Sequence, residues 1–322
     1  MIEGIHHLSL VVRNLAAAQR FYCAAAGMRP VAQADAATIV AVDRRLAPPQ
    51  PFAHRLLAGC NGYLRLIAPH ELAGTPTSVA NPINRAGFRH FCAQNREIAV
   101  LSNPVADHGG TLIAPPLDLG TGNQYAYARD PEGNIMEIEG LPYAPAGEAT
   151  WLGHVALVTR DMDCALAFYA PLFGAAPDNR GRFGPGPQFD RMGGLNGARI
   201  EGAWLPAGNL QLELWQFHAP PSPLEPGPRK ALDPGYSHLC LESDDLEADA
   251  AHLVALGGRL LGDILETENG RAIFACDSEG NVLELLELRG AGMALSIAAL
   301  AEPGIRARVE AGRLPHHTGA NA

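Results

Sequence analysis

The sequence predicts an α+β protein made of four βαβββ modules grouped in two tandem domains. Two observations carry this. First, a repeat runs through the chain at an offset of 147–148 residues. Ile5-His6-His7-Leu8-Ser9-Leu10 recurs as Leu152-Gly153-His154-Val155-Ala156-Leu157, Phe21-Tyr22 as Phe168-Tyr169, and Gly109-Gly110 as Gly257-Gly258. Asp130-Pro-Glu-Gly-Asn134 recurs as Asp277-Ser-Glu-Gly-Asn281. Many landmarks held in one register point to duplication of a whole unit. Second, a short His-bearing strand opens near residues 5, 88, 152 and 236, each followed by a helical stretch and then by alternating segments broken by Gly, Pro and Asn.

Each element has a local reason. Asn14–Ala26 places Leu15, Ala18, Phe21 and Tyr22 on one helical face and stops at Gly27; Asp161–Leu172 and Asp244–Leu256 repeat the scheme. The later segments alternate as half-buried strands do. Pro-rich linkers at 70–86, 141–150 and 218–235 separate the modules. The domains are therefore expected at 1–142 and 151–288. A tail, 289–322, is expected to be helical near Met293–Glu302 and disordered at its end.

Composition excludes several classes. The chain has 24 basic and 34 acidic residues and no Lys/Arg block, which argues against a nucleic-acid partner. No apolar run is long enough for a membrane helix, so no membrane partner is expected. Six scattered cysteines without a CxxC pair read as reduced. MIEGIHHLSLVV lacks the basic start and long apolar stretch of a signal peptide, so the expected location is the cytoplasm. Monomer and homodimer are both open.

Alternation along the strands selects the candidate site residues. His7 shares a face with Ser9 and Val11, opposite the more apolar face of His6, Leu8 and Leu10. By the same count His90, His154 and His238 point away from the helices. On the closing strands Glu213 lies with Gln211 and Trp215, Glu284 with Val282 and Leu286, and Glu137 with Ile135. A carboxylate among apolar neighbours is costly unless paired or bound to a cation. Arg65 stands where Glu213 does, 25 residues before its histidine in each case. The second half thus offers His154, Glu213, His238 and Glu284; the first offers His7, His90 and Glu137 beside Arg65. Two imidazoles with one or two carboxylates suit a divalent ion: Fe, Mn, Ni, Co or Zn. Arg65 is a candidate clamp for a substrate carboxylate, and Trp215 a candidate pocket wall.

These residues resemble the vicinal oxygen chelate superfamily of glyoxalases, epimerases, extradiol dioxygenases and bleomycin-resistance proteins. The matching segments are IHHLSLVVRN, RFYCAAAG, DPEGNIMEIE, GHVALVTRDM, AFYAPLFG, LQLELWQF, GYSHLCLESDDL and DSEGNVLELLEL, over about residues 1–288. The resemblance implies two tandem glyoxalase-like β-cup domains, with metal ligands on the first and last strand of each module. His154, Glu213, His238 and Glu284 match the glyoxalase and epimerase ligand pattern. In the first half His7, His90 and Glu137 match and Arg65 departs.

The function this implies is that of a metal-dependent lyase or isomerase acting on a small molecule chelated through adjacent oxygens, with Glu213 or Glu284 as the base. Two alternatives stand beside it. Tyr127-Ala-Arg-Asp130-Pro-Glu-Gly133-Asn-Ile-Met-Glu137 matches the tail of the extradiol dioxygenase signature, with Tyr127 as a candidate acid, but the preceding histidine is missing. Ligand sequestration without turnover is the other. The long linkers favour cups formed within each half; cups formed across the halves would instead join His90 and Glu137 to His154 and Glu213.

Overall fold

The computed structural model describes residues 1–32, 52–74, 81–223 and 232–312. Module one comprises β1 (Ile2–Val11), α1 (Leu15–Ala25), β2 (Arg29–Pro30), β3 (Phe52–Ala58) and β4 (Tyr63–Pro69). Module two comprises β5 (Gly87–Asn95), the short helices α2 (Ile98–Ser102) and α3 (Pro104–Asp107), β6 (Thr111–Leu112), β7 (Gln124–Arg129) and β8 (Ile135–Gly140). Module three comprises β9 (Trp151–Val158), α4 (Met162–Leu172), β10 (Asn179–Phe183), α5 (Pro187–Gly193), β11 (Arg199–Ala207) and β12 (Leu210–Ala219). Module four comprises β13 (Gly235–Ser243), α6 (Leu246–Ala255), β14 (Arg259–Leu260), β15 (Leu265–Thr267), β16 (Gly270–Cys276) and β17 (Val282–Leu288).

The predicted helices form where a cap and an apolar face coincide. Asn14, Asp161 and Asp245 each accept a hydrogen bond from the backbone N–H three residues on, satisfying an amide that the helix itself leaves unpaired. Each of these helices buries one face. In module two Pro104 splits the helical stretch into two short pieces, because proline supplies no N–H to the preceding turn. The repeated Gly-Gly pairs have a steric cause: Gly109 and Gly257 take positive φ, and a Cβ on Gly110 would meet the Phe21 ring and the Arg129 carbonyl.

The modules pair across the halves. One sheet runs β14-β16-β17-β13-β1-β4-β3-β2, with β15 on β16; the other runs β10-β11-β12-β9-β5-β8-β7-β6. Modules one and four therefore build the first cup, and modules two and three the second. This overturns the expectation of cups within each half, and the linkers explain it. The short 141–150 segment keeps β8 and β9 in one sheet, while the longer connections after β4 and β12 carry the chain from one sheet to the other. Long linkers mark the crossings between cups, not the joints within one.

Within each half the two modules, which stand in different cups, are tied by the repeated turn. Glu132 accepts from the backbone N–H groups of Arg13 and Asn14 at 2.7 Å each, and Glu279 does the same for Arg160 at 2.9 Å. Tyr22 donates to Asp130 at 3.0 Å and Tyr169 to Asp277 at 2.8 Å. Helices α1, α4 and α6 and the helix-facing sides of both sheets share one continuous apolar core.

The tail departs from its expected helix. Residues Gly290–Leu295 and Ile297–Ala299 form 3₁₀ turns, and the α-helix comes later, as α7 (Ile305–Ala311). The expected disordered end, 314–322, lies outside the described residues. Among the described residues no helix is long and apolar enough to cross a membrane.

Candidate metal centre

Four adjacent strands, β12-β9-β5-β8, form the floor of the second cup. Antiparallel pairing sets His90 opposite Ala156, parallel pairing sets Glu213 opposite Ala156 and Glu137 opposite Cys92. His90, Glu137, His154 and Glu213 thereby meet, each with one ligand atom within 4.8 Å of the others. Glu137 Oε2 lies 2.9 Å from His154 Nε2 and 3.1 Å from His90 Nε2. Glu213 Oε2 lies 3.2 Å from His154 Nε2 and 3.5 Å from His90 Nε2. All four residues are buried.

Two buried carboxylates this close need a cation between them. Burial alone would raise the Glu213 and Glu137 carboxyls, yet the neighbouring imidazoles hold both below the usual range. Burial disfavours a proton on His154, but Glu213 and Glu137 outweigh it and raise that imidazole well above its ordinary value. A proton on His154 thus occupies the place a metal cation would take. Glu213 Oε2 is buried without a hydrogen bond, as expected of a ligand atom aimed at an ion. Two imidazoles and two carboxylates fit a divalent ion of intermediate hardness. Cys92 points into the same cup, but burial, then Glu137, pushes its thiol up and keeps it protonated.

Supporting bonds fix the floor. Trp151 donates through Nε1 to Gln94 at 2.6 Å, Gln94 donates onward to Glu139, and Asn123 donates to Glu139 at 3.0 Å. Burial, then the Glu137 charge, pushes the Glu139 carboxyl up to about 7.

A small pocket opens onto the His90 side of this cluster. Trp215 and Tyr127 line it, as does α5, which contributes Phe189 and Met192 from above. The Tyr127 ring meets His90 edge-on at 5.2 Å, and burial raises its phenol well above the ordinary value. Arg89 also lines the pocket and is buried. Strict alternation misses Arg89, because it sets Arg89 on the face of Phe91. A bulge between Phe88 and His90 shifts the register, so that Phe88 and Phe91 enter the core while Arg89 faces the pocket. No sequence signal marks that bulge.

The first cup gathers the rest. His7 and His238 lie 3.5 Å and 3.3 Å from Glu284 Oε2, and Ser9 Oγ lies 3.0 Å from His238 Nε2. Arg65 pairs with Ser9 on the adjacent strand, in the position Glu213 holds in the other cup, and is 1% exposed. Burial, then His6 and Arg65, pushes the His7 imidazole well below its ordinary value. A bulge between Ile5 and His7 turns His6 away from the helix face expected for it: Ile5 enters the core, while His6 stacks on Tyr63 at 4.8 Å. His6 donates through Nε2 to the Leu295 carbonyl at 2.8 Å, and Glu242 accepts from Ser296 and from Ile297 N at 2.8 Å. The tail therefore covers this cup.

The four residues expected as one set divide in space. His154 and Glu213 stand in the second cup with His90 and Glu137; His238 and Glu284 stand in the first with His7 and Arg65. Trp215 and Tyr127 join the second cup, away from Arg65.

Comparison with known proteins agrees with this architecture. The Anthracycline biosynthesis protein DauV of Streptomyces sp. (strain C5) is 27% identical over 198 residues, 59% of this chain, and the chain spans 62% of that relative's length. Glyoxalase I from Zea mays superposes with a TM-score of 0.63 at 17% identity, over 92% of this chain and 96% of that one. A putative dioxygenase from Bacillus subtilis subsp. subtilis str. 168 superposes with a TM-score of 0.60 at 14% identity, over 98% and 97%. The family model for the Glyoxalase/Bleomycin resistance protein/Dioxygenase superfamily matches residues 4–138 and again 151–285. The chain belongs to that superfamily, as two copies of its unit in tandem.

Proposed function

We propose that the second cup holds one divalent metal ion through His90, Glu137, His154 and Glu213, and that the protein is a metal-dependent lyase or isomerase acting on a small molecule bound through adjacent oxygens. The carrying observation is the convergence of these four buried side chains, with Glu213 Oε2 left without a hydrogen bond. A bound divalent ion would supply Lewis-acid polarisation of the substrate oxygens. The chain's own residues do the rest. Glu213 takes and returns a proton at the carbon beside those oxygens. Tyr127, whose phenol burial keeps protonated, offers a hydrogen-bond donor on the His90 side. Trp215 and the α5 residues above the pocket exclude water.

Oxygen-dependent ring cleavage is the second reading, favoured by the placement of Tyr127 against His90. Elemental analysis of the purified protein separates the two: iron together with oxygen uptake on a catechol supports ring cleavage, and nickel, cobalt, manganese or zinc without uptake supports proton transfer. A His90→Ala/His154→Ala variant that retained all its metal would overturn both.

A further inference from the structure

Two buried asparagines, Asn61 and Asn209, stand in the register of the repeat, in the turns that join β3 to β4 and β11 to β12. Each turns its side-chain amide to the opposite half. Asn61 accepts from Leu152 N at 2.8 Å and donates to the Leu152 carbonyl at 2.8 Å. Asn209 does the same for Ile5, accepting from its N–H at 3.0 Å and donating to its carbonyl at 2.9 Å. The two turns also meet, with Asn209 Nδ2 donating to the Asn61 carbonyl at 2.6 Å. A turn of the first cup therefore holds a strand of the second, and a turn of the second holds a strand of the first.

The residue held in each case opens a bulge. Leu152 faces Ala93 while Val155 faces Phe91, so β9 uses one residue more than β5 over that stretch. On β1 the surplus residue lies between Ile5 and His7. The extra residue lets both Leu152 and Val155 enter the core, with His154 between them among the cluster in the cup. A bulge takes backbone groups out of the ladder and re-aims the side chains beside it, and a slip of one residue turns a side chain to the other face. Pairing of β9 with β12 begins only at His154, so beyond that point Asn61 stands where a strand neighbour would. Gly153 is packed so closely that an added Cβ would lie 2.4 Å from the Gln94 side chain.

We infer that Asn61 is a positioning residue for the metal centre: from a turn of the first cup it pins the bulge that aims His154 into the second. This rests on the metal site proposed above. Asn209, which pins the bulge before His7, is the built-in control.

The test is cobalt(II) binding to the full chain stripped of metal, followed by visible absorption and by competition with a chelator. Asn61→Ala and Asn209→Ala each remove the same pair of bonds to a strand, so both should lower the melting temperature by similar amounts. Only Asn61→Ala is expected to weaken cobalt binding about tenfold and shift the absorption band, whereas Asn209→Ala should stay within about twofold of the unmodified protein. Asn61→Ser, whose shorter hydroxyl replaces only part of the amide, should fall between, and it stands in for the alanine variant if that does not fold. The unmodified protein supplies a further reading, because coupling between two sites is reciprocal: cobalt should slow hydrogen exchange of the Leu152 amide and leave the Ile5 amide unchanged. Equal losses of cobalt affinity in the two alanine variants, unchanged affinity in the Asn61 variants, or a Leu152 amide indifferent to cobalt overturns the inference and leaves the metal site standing. Failure of the metal site looks different: cobalt absent from the unmodified protein, or retained in His90→Ala/His154→Ala, overturns both.

Discussion

The two cups are built on the same plan and differ at three places. Where the second has Glu213, the first has Arg65. The second opens into a pocket, while the first is covered by the 3₁₀ turns after β17. Each keeps an extra buried glutamate, but on a different strand. In the second cup Glu139, on β8, is satisfied by Gln94 and Asn123; in the first, Glu242, on β13, holds the tail. Replacing one carboxylate by a guanidinium supplies internally the positive charge that the other cup needs from outside. The lesson is that a ligand-like histidine and glutamate pair is not a site until its fourth neighbour and its access are known.

Four changes break or sharpen that comparison. The largest effect is expected from His90→Ala/His154→Ala, which should abolish roughly one equivalent of bound metal per chain, while His7→Ala/His238→Ala should leave it in place. Two equivalents in the unmodified protein would erase the distinction between the cups. Next is Arg65→Glu, which rebuilds the four-donor set in the first cup. Without metal it should cost on the order of 3–5 kcal/mol by leaving buried carboxylates uncompensated. Added metal should restore the melting temperature and raise the bound stoichiometry; a variant indifferent to metal would show that the cup is closed to ions whatever its charge.

Leu295→Ala removes buried apolar contact from the cover of the first cup. It should cost about 2–4 kcal/mol in urea unfolding, with metal content unchanged. The smallest effect concerns Glu139, whose folded carboxyl titrates at about 7. Between the ordinary carboxylate range and that value, the folded protein holds a proton that the unfolded chain has lost. This group's contribution to stability is therefore present below the ordinary range and lost as pH rises through about 7. Metal-free protein should lose no more than about 3 kcal/mol of unfolding free energy from pH 5 to pH 8 through this group. Glu139→Gln should flatten that slope, and an equally steep profile in the variant would show that the proton sits elsewhere.

The sequence carried the modules and the residues that gather in the two cups because both depend on local pattern. The His on each first strand, the Glu on the closing strands and the helical faces that begin after Asn14 and Asp161 are all read within a dozen residues. Which module faces which is a long-range fact. His154 fits His90 as well as His238 by strand register, so only linker length speaks to the pairing, and a long linker marks a crossing between cups rather than a joint within one. Arg89 and His6 escaped because bulges break the two-residue period at those points. The covering of the first cup escaped because it depends on the tail docking through Leu295 and Ser296, with no helical periodicity to announce it.

The pairing across halves has a historical consequence. Two separate copies of a half-length chain, associated about a two-fold axis, would form two cups that are identical by symmetry. Any substitution in one would appear in the other, so neither could change without both. Joining the copies end to end removes that constraint. A single chain can keep glutamate at residue 213 and carry arginine at residue 65, so that the two cups are free to differ in the charges they gather.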